Sequence, residues 1–453
     1  MQSVKKWIPA LTGILFITPY IIAFTLKDLR KHTVEFEYIF LAAFIIYAIV
    51  CSYALTLEDE NSRFLNWTFG LSALTFVVLT LTRPTLSDDM YRYIWDGRVQ
   101  AQGISPYRFP PNASELIDLR DPTIYPSINR KGVVTVYPPA AEAAYALLWH
   151  LVPDNIHWFQ FVMALGALSA GGLLTGLLRD LNRSSARVWI YMGSPLLAFE
   201  TAHAAHIDAL ILPLLVGAWW ARVRERDGWV GVLLGISTTM KFYPMLFLPF
   251  LWRPQHPKGR WTMPLAFLLT VTGFYLPYIL IGGSDVLGFL PNYFKEAFNV
   301  SPLISWLKSS LWNLGWHSSN RLTVISLGLI AIFAAWAILK PAMNAETAIK
   351  RCILPISVIT LLSQNLFSWY MLWLLPLIAI FIEPTDKRIM GFALPRLNAW
   401  TGWWLFCGLI ALSYIFFIAW FPVNAALYAQ FMPLYAILLI DLVRRYAKRI
   451  AIH

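Results

Sequence analysis

The chain has 453 residues, 58% hydrophobic and 13% charged, with a formal net charge of +11. The basic residues fall in short clusters between apolar runs and form no continuous patch, so a nucleic-acid partner is not expected. Period-two alternation is absent, which excludes a transmembrane barrel and leaves helices as the structure that bonds every backbone group inside a bilayer.

The first apolar stretch, 7–24, follows Lys5 and Lys6 but reaches Lys27 and Asp28 without a small-residue cleavage site, and reads as a retained helix. Spans are expected near 7–25, 36–57 and 64–82. A polar excursion, 83–133, then forms a first large loop. Segment 134–152, with Pro138 and Pro139 at its start, reads as an interfacial or re-entrant helix. Spans resume near 157–178, 187–203, 207–221, 229–240, 242–252 and 262–281. A second loop, 282–320, mixes prolines with aromatic rings suited to the headgroup boundary. The last spans lie near 321–339, 352–367, 369–382, 400–419 and 425–443. The fold class is therefore an all-α polytopic membrane bundle of about 12–14 transmembrane helices, one domain over 1–453. Cys51, Cys352 and Cys407 sit in apolar runs and give neither a disulfide framework nor a metal spacing. The glycines from Gly166 to Gly176 read as close helix packing, and no nucleotide-binding glycine loop is visible.

Basic clusters at 179–187, 222–226, 253–260, 340–351, 387–396 and 444–449 mark the cytoplasmic side by the positive-inside bias, which turns both large loops outward. Lys27, Arg30 and Lys31 run against that bias.

Polar residues interrupt the apolar runs at three places. Lys241 sits in the middle of 229–252, where a single span would strand its ammonium in lipid. Glu200, His203, His206 and Asp208 divide two further runs. Gln364, Asn365, Trp369 and Tyr370 mark a third turn. All three are expected to open on the side of Asp88 and Asp89, giving one extracytoplasmic cavity.

Transfer of a sugar from a lipid-linked phosphate to a hydroxyl needs a base for the acceptor proton and cations for the leaving phosphate. Asp88, Asp89 and Asp96 are candidate bases. Arg92, Arg98, Lys241, His203 and His206 are candidate phosphate or hydroxyl partners, and Asp208, Tyr107, Tyr137, Tyr243, Gln364 and Tyr370 complete the expected binding set. A lipid donor enters sideways from the bilayer, with a glycan or lipid as acceptor.

The order of Asp88-Asp89 with Tyr91 and Tyr93, Gly103-Ile104-Ser105-Pro106-Tyr107, Tyr137-Pro138-Pro139, Lys241-Phe242-Tyr243-Pro244 and Trp369-Tyr370 resembles the GT-C membrane glycosyltransferases. It resembles in particular the polyprenol-phosphate-mannose-dependent mannosyltransferases and their bacterial relatives. The resemblance implies inverting transfer of a hexose, mannose first, from a polyprenyl-phosphate donor at the outer face of a bacterial inner membrane. It places the catalytic base on Asp89 by spacing from Pro106-Tyr107, or on Asp88 if the pair is aligned by its first member. Lys241 then lies near the donor phosphate. Two features depart from the pattern: two helices precede the one feeding the aspartate loop, and His203-Ala204-Ala205-His206 replaces a glycine-glutamine turn.

Plainer roles stand beside these. Asp88 could cap a helix, Arg92 and Asp96 form an i, i+4 ion pair, and Lys241 snorkel to an interface. His203, His206 and Asp208 read as a hydrogen-bonding turn before a metal site, and Tyr107 and Tyr137 as packing. No cofactor is required, although Asp88 and Asp89 could hold a divalent cation. The rival class is a secondary transporter, which also places charges at broken helices.

Overall fold

Long apolar runs become helices because lipid offers their backbone groups no other partner. The computed structural model describes residues 2–57, 61–293, 296–318, 321–418 and 423–450. α1 (Gln2–Leu26) and α2 (Thr33–Ala54) form an antiparallel hairpin. α3 (Ser62–Thr80) starts at Asn61, whose side chain accepts the Phe64 N–H, and leads into the excursion. Two helices organise that excursion, α4 (Asp89–Ala101) and α5 (Pro139–Leu151). They press together at Gly97, where a Cβ would lie 2.6 Å from the Tyr145 carbonyl oxygen and 2.8 Å from Trp149 Cβ.

α6 (Ile156–Asp180) packs along α7 (Asp208–Val223) at Gly166, whose missing side chain admits the Ala209 carbonyl. Gly171 admits Met192 and Gly176 admits Trp220 in the same way, as close packing predicts. α8 (Asp227–Met240) ends at Lys241, and the chain returns through short turns to Leu251, whose carbonyl accepts from Arg222 Nε at 3.0 Å. α9 (Gly259–Gly282), α10 (Pro302–Asn313), α11 (Arg321–Leu339), α12 (Ile353–Leu362), α13 (Leu375–Phe381), α14 (Ala399–Leu409) and α15 (Val423–Ile450) complete the bundle.

Among the described residues, seven helices are long and apolar enough to cross a bilayer alone: Thr33–Ala54, Ser62–Thr80, Ile156–Asp180, Gly259–Gly282, Arg321–Leu339, Ala399–Phe416 and Val423–Ala447. Of the other expected spans, 7–25 lies within α1 and the rest are shorter or interrupted, with interruptions at the three polar turns and at Gly193-Ser194. The chain is an all-α membrane bundle apart from one antiparallel hairpin, Pro384–Ile389 with Phe392–Pro395, which the sequence reading did not anticipate. Its turn residues Met390 and Gly391 both have positive φ, 51° and 87°, the geometry a two-residue hairpin turn demands.

The basic clusters gather at one end. There Arg183 meets Glu346 at 2.6 Å, Arg224 meets Asp180 at 2.7 Å, and Arg187 donates to the Ile380 carbonyl at 2.9 Å. The three polar turns and both large loops lie at the other end.

Candidate active site

Ser87, Asp88 and Asp89 lead into α4, and the two carboxylates take separate partners. Asp88 holds the N-cap position with φ −99° and ψ −1°, but its side chain caps nothing. Instead Arg30 Nη1, from the α1–α2 loop, donates to Asp88 Oδ2 at 3.0 Å. Asp89 Oδ1 accepts from Asn129 Nδ2 at 2.8 Å, and Oδ2 lies 3.6 Å from His206 Nδ1. The two side chains thus face different groups. Among the described residues no group of three or more His, Cys, Asp or Glu side chains is arranged around a metal position.

His206 is fully buried and stacks on Trp369 with ring centroids 3.8 Å apart. Its Nε2 lies 3.3 Å from Glu200 Oε2, and the Tyr414 hydroxyl donates to Glu200 at 3.0 Å. Neither imidazole nitrogen is aligned for a hydrogen bond, so both contacts are close approaches. The backbone makes this possible through a π-turn at Ala198–His203, followed by Ala205 in the left-handed region at φ 56°.

Lys241 Nζ donates to both Asp208 oxygens, at 3.0 and 2.8 Å, and Trp373 Nε1 donates to the same carboxylate at 2.6 Å. The ammonium also lies 4.8 Å from the Tyr370 ring centroid and 5.5 Å from that of Trp373. Tyr243 stacks on the Trp373 ring. The Lys241, His206 and Tyr370 turns thus meet the Asp88-Asp89 segment at one place, as the sequence reading expects.

They enclose a cavity of about 750 Å³. Asp88, Asp89, Arg92, Tyr137, Lys241, Tyr243, Gln364 and Tyr370 line it, with Asn129, Asn365, Trp369 and Tyr414 beside them. One wall is apolar, made by Leu246, Leu327, Ile330, Ile359 and Leu362. α11, which supplies Leu327 and Ile330, is half-buried or exposed at all described positions but Leu322 and Ala337.

Six of the expected site residues stand outside the cavity lining: His206, described above, and five that hold its parts together. His203 approaches Thr82 Oγ1 at 2.8 Å and accepts the Thr85 N–H at 3.2 Å, tying the strap before Asp88 to the π-turn. Arg98 binds Asp121 at 2.6 Å and Asp154 at 2.7 Å, pinning the excursion to the start of α6. Asp96 takes Arg92 Nε at 2.8 and 3.0 Å, a buried pair rather than a solvated helix-face one. Tyr107 donates to the Tyr137 carbonyl at 2.7 Å, and Asp208 lies beneath Lys241.

Electrostatics in the excursion follow burial. Glu142 accepts from Thr135 Oγ1 and Gln100 Nε2; burial first and then the Asp96 carboxylate push it well above the usual range. Burial likewise raises Asp96, with Arg92 opposing, so this pair favours a retained proton. At Asp121 burial works upward but hydrogen bonds from Thr123, Ile124 and Arg98 outweigh it, and the carboxyl is held below its usual range.

Sequence reasoning did not single out Asn129, Glu200 or Tyr414, and it met Arg30 only as an exception to the charge bias. Glu200 had a signal, being one of four ionisable groups at a break between spans. Asn129 had none.

None of the curated proteins compared with it matches this chain. A family model described as alpha-(1->6)-mannopyranosyltransferase, N-terminal domain, matches residues 21–253. The matched stretch carries Arg30, Asp88, Asp89, Asn129, Glu200, His206, Asp208 and Lys241 and ends before Gln364 and Tyr370. With that match across half its length, the chain belongs to the alpha-(1->6)-mannopyranosyltransferase family, a GT-C family of membrane mannosyltransferases.

Proposed function

We propose that this mannosyltransferase takes mannose from a polyprenyl-phosphate donor and delivers it with inversion to a saccharide or lipid acceptor. The observation that carries this reading is the position of Asp89: in the lining of a cavity that runs from anchored polar groups to an apolar wall, with Asn129 donating to its carboxylate and His206 close by.

The acceptor hydroxyl gives its proton to Asp89, and its oxygen forms a bond to the anomeric carbon as the bond from that carbon to the phosphate oxygen breaks. The electron pair leaves with the phosphate. The resemblance puts the base on Asp89 by its spacing from Pro106-Tyr107, and its carboxylate faces a neutral amide and an imidazole. A covalent sugar intermediate needs a second carboxylate across the ring, whereas Asp88 and Asp89 are neighbours at the start of one helix. The family description names an α-(1→6) linkage, which a single inverting displacement makes from a β-linked donor. Lys241 and Arg92 supply positive charge along the cavity.

The purified protein in liposomes with radiolabelled polyprenyl-phosphate mannose and a lipid extract is expected to yield a product released by α-mannosidase. Transfer from a nucleotide-mannose, with none from the lipid donor, would overturn the reading. The site is proposed to face outward across a bacterial inner membrane. An Asn112→Cys variant is then expected to react with an impermeant maleimide from the outer side of intact cells; reaction only after the cytoplasm is opened inverts the orientation.

A further inference from the structure

We propose that Arg30 is the ligand of the donor phosphate, kept beside the site by Asp88 until the donor arrives. This inference rests on the lipid-phosphate donor proposed above.

Among the described residues four cations line the cavity, and each faces a carboxylate: Arg30 with Asp88, Arg92 with Asp96, Arg130 with Glu296, and Lys241 with Asp208. They differ in how easily an incoming anion can separate them. Arg92 and Asp96 are 6% and 2% exposed, make two contacts, and Arg92 also donates to the Val133 carbonyl. Asp208 is 1% exposed and shares Lys241 with Trp373. Drawing either cation away strands a buried carboxylate, which is strongly unfavourable. Arg130 and Glu296 join the first large loop to the second, so their separation loosens the cavity wall.

Arg30 and Asp88 are different. Arg30 Nη1 meets Asp88 Oδ2 at 3.0 Å, and the side chains are 34% and 36% exposed. Water can solvate Asp88 when the guanidinium leaves, and such exposed pairs contribute little. A phosphate offers the guanidinium two oxygens at once, a stronger partner than one carboxylate oxygen. The backbone holds Arg30 in place meanwhile: Leu29 N–H donates to Thr85 Oγ1 at 2.9 Å, and Thr33 Oγ1 donates to the Arg30 carbonyl at 2.7 Å.

The charge bias points the same way. Basic clusters mark the opposite end of the bundle, yet Lys27, Arg30 and Lys31 sit at the site end, where Asp28 takes Lys31 at 3.3 Å and Arg30 faces the cavity. An arginine at the disfavoured end, parked on an exposed carboxylate beside the proposed base, is placed to meet an anion.

The test measures binding of farnesyl phosphate, farnesol and inorganic phosphate to the full-length protein in nanodiscs. Arg30→Gln is expected to weaken farnesyl phosphate binding by about tenfold and to leave farnesol binding as in wild type, with Arg30→Lys recovering part of the loss. Asp88→Asn, which removes the competing carboxylate, is expected to strengthen farnesyl phosphate binding by about threefold. Undiminished phosphate binding by Arg30→Gln overturns the proposal. So does weakening by Asp88→Asn equal to that of Arg30→Gln, since a merely structural pair loses on both sides. Inorganic phosphate binding as tightly as farnesyl phosphate makes this a free-phosphate site and also overturns it. If the wild type does not prefer farnesyl phosphate to farnesol, the donor reading itself fails.

Discussion

Replacing Asp89 by asparagine is expected to lower mannosyl turnover by about 10²–10⁴-fold, the contribution of a positioned general base, with much less change in donor KM. The substitution keeps shape and an oxygen that Asn129 Nδ2 can still meet, so α4 and the cavity stay in place. What disappears is the acceptor of the proton. The side chain is 22% exposed and its neutral replacement keeps the Asn129 contact, so the variant is expected to fold. Turnover is followed with labelled polyprenyl-phosphate mannose at saturating acceptor. Asp88→Asn is the comparison that separates the neighbours: a deeper fall in kcat at Asp88 than at Asp89 moves the base to Asp88, and full turnover by both variants removes the assignment altogether.

The places where polar residues break apolar runs were legible in the sequence, because an ionisable group has few tolerable positions in lipid. Lys241, His206 and Tyr370 therefore announced that their segments turn, and the turns do meet around one cavity. The pairings inside that cavity were not legible. Asn129 reaches Asp89 across 40 residues of a polar loop in which its amide looks like any other loop amide. Tyr414 reaches Glu200 across 214 residues, from an apolar stretch where a tyrosine reads as an interface anchor. Such contacts are fixed by how helices pack, which residue spacing does not encode.

The same limit explains the misplaced residues. His203 and His206 are three apart and looked equivalent, but the π-turn and the left-handed Ala205 rotate one towards Thr82 and Thr85 and the other towards Asp89. Arg98 and Arg92 lie on one helix. One faces Asp121 in the excursion and Asp154 before α6, and the other the cavity. The hairpin at 384–395 escaped notice because its strands are short, six and four residues, and neither carries an alternating apolar face.

Lys241→Met is expected to destabilise the protein by about 3–5 kcal/mol, towards the lower figure because Lys241 itself is one-fifth exposed. The cost arises at Asp208. That carboxylate is 1% exposed, and without the ammonium it keeps only the Trp373 N–H, which cannot balance a buried charge. Adding Asp208→Asn on the Lys241→Met background removes the stranded charge, so the double variant should regain most of the lost stability. Thermal unfolding in detergent, read by the fraction that stays monodisperse, measures both steps. Turnover then separates structure from chemistry. If Lys241 serves only to hold the turn against Tyr370 and Trp373, the restored double variant also regains donor KM. If its charge acts on the donor phosphate, as the resemblance implies, the double variant folds but keeps a raised KM. A Lys241→Met protein as stable as wild type would show that water or lipid headgroups reach Asp208, and the turn would have to be held by its stacked rings instead.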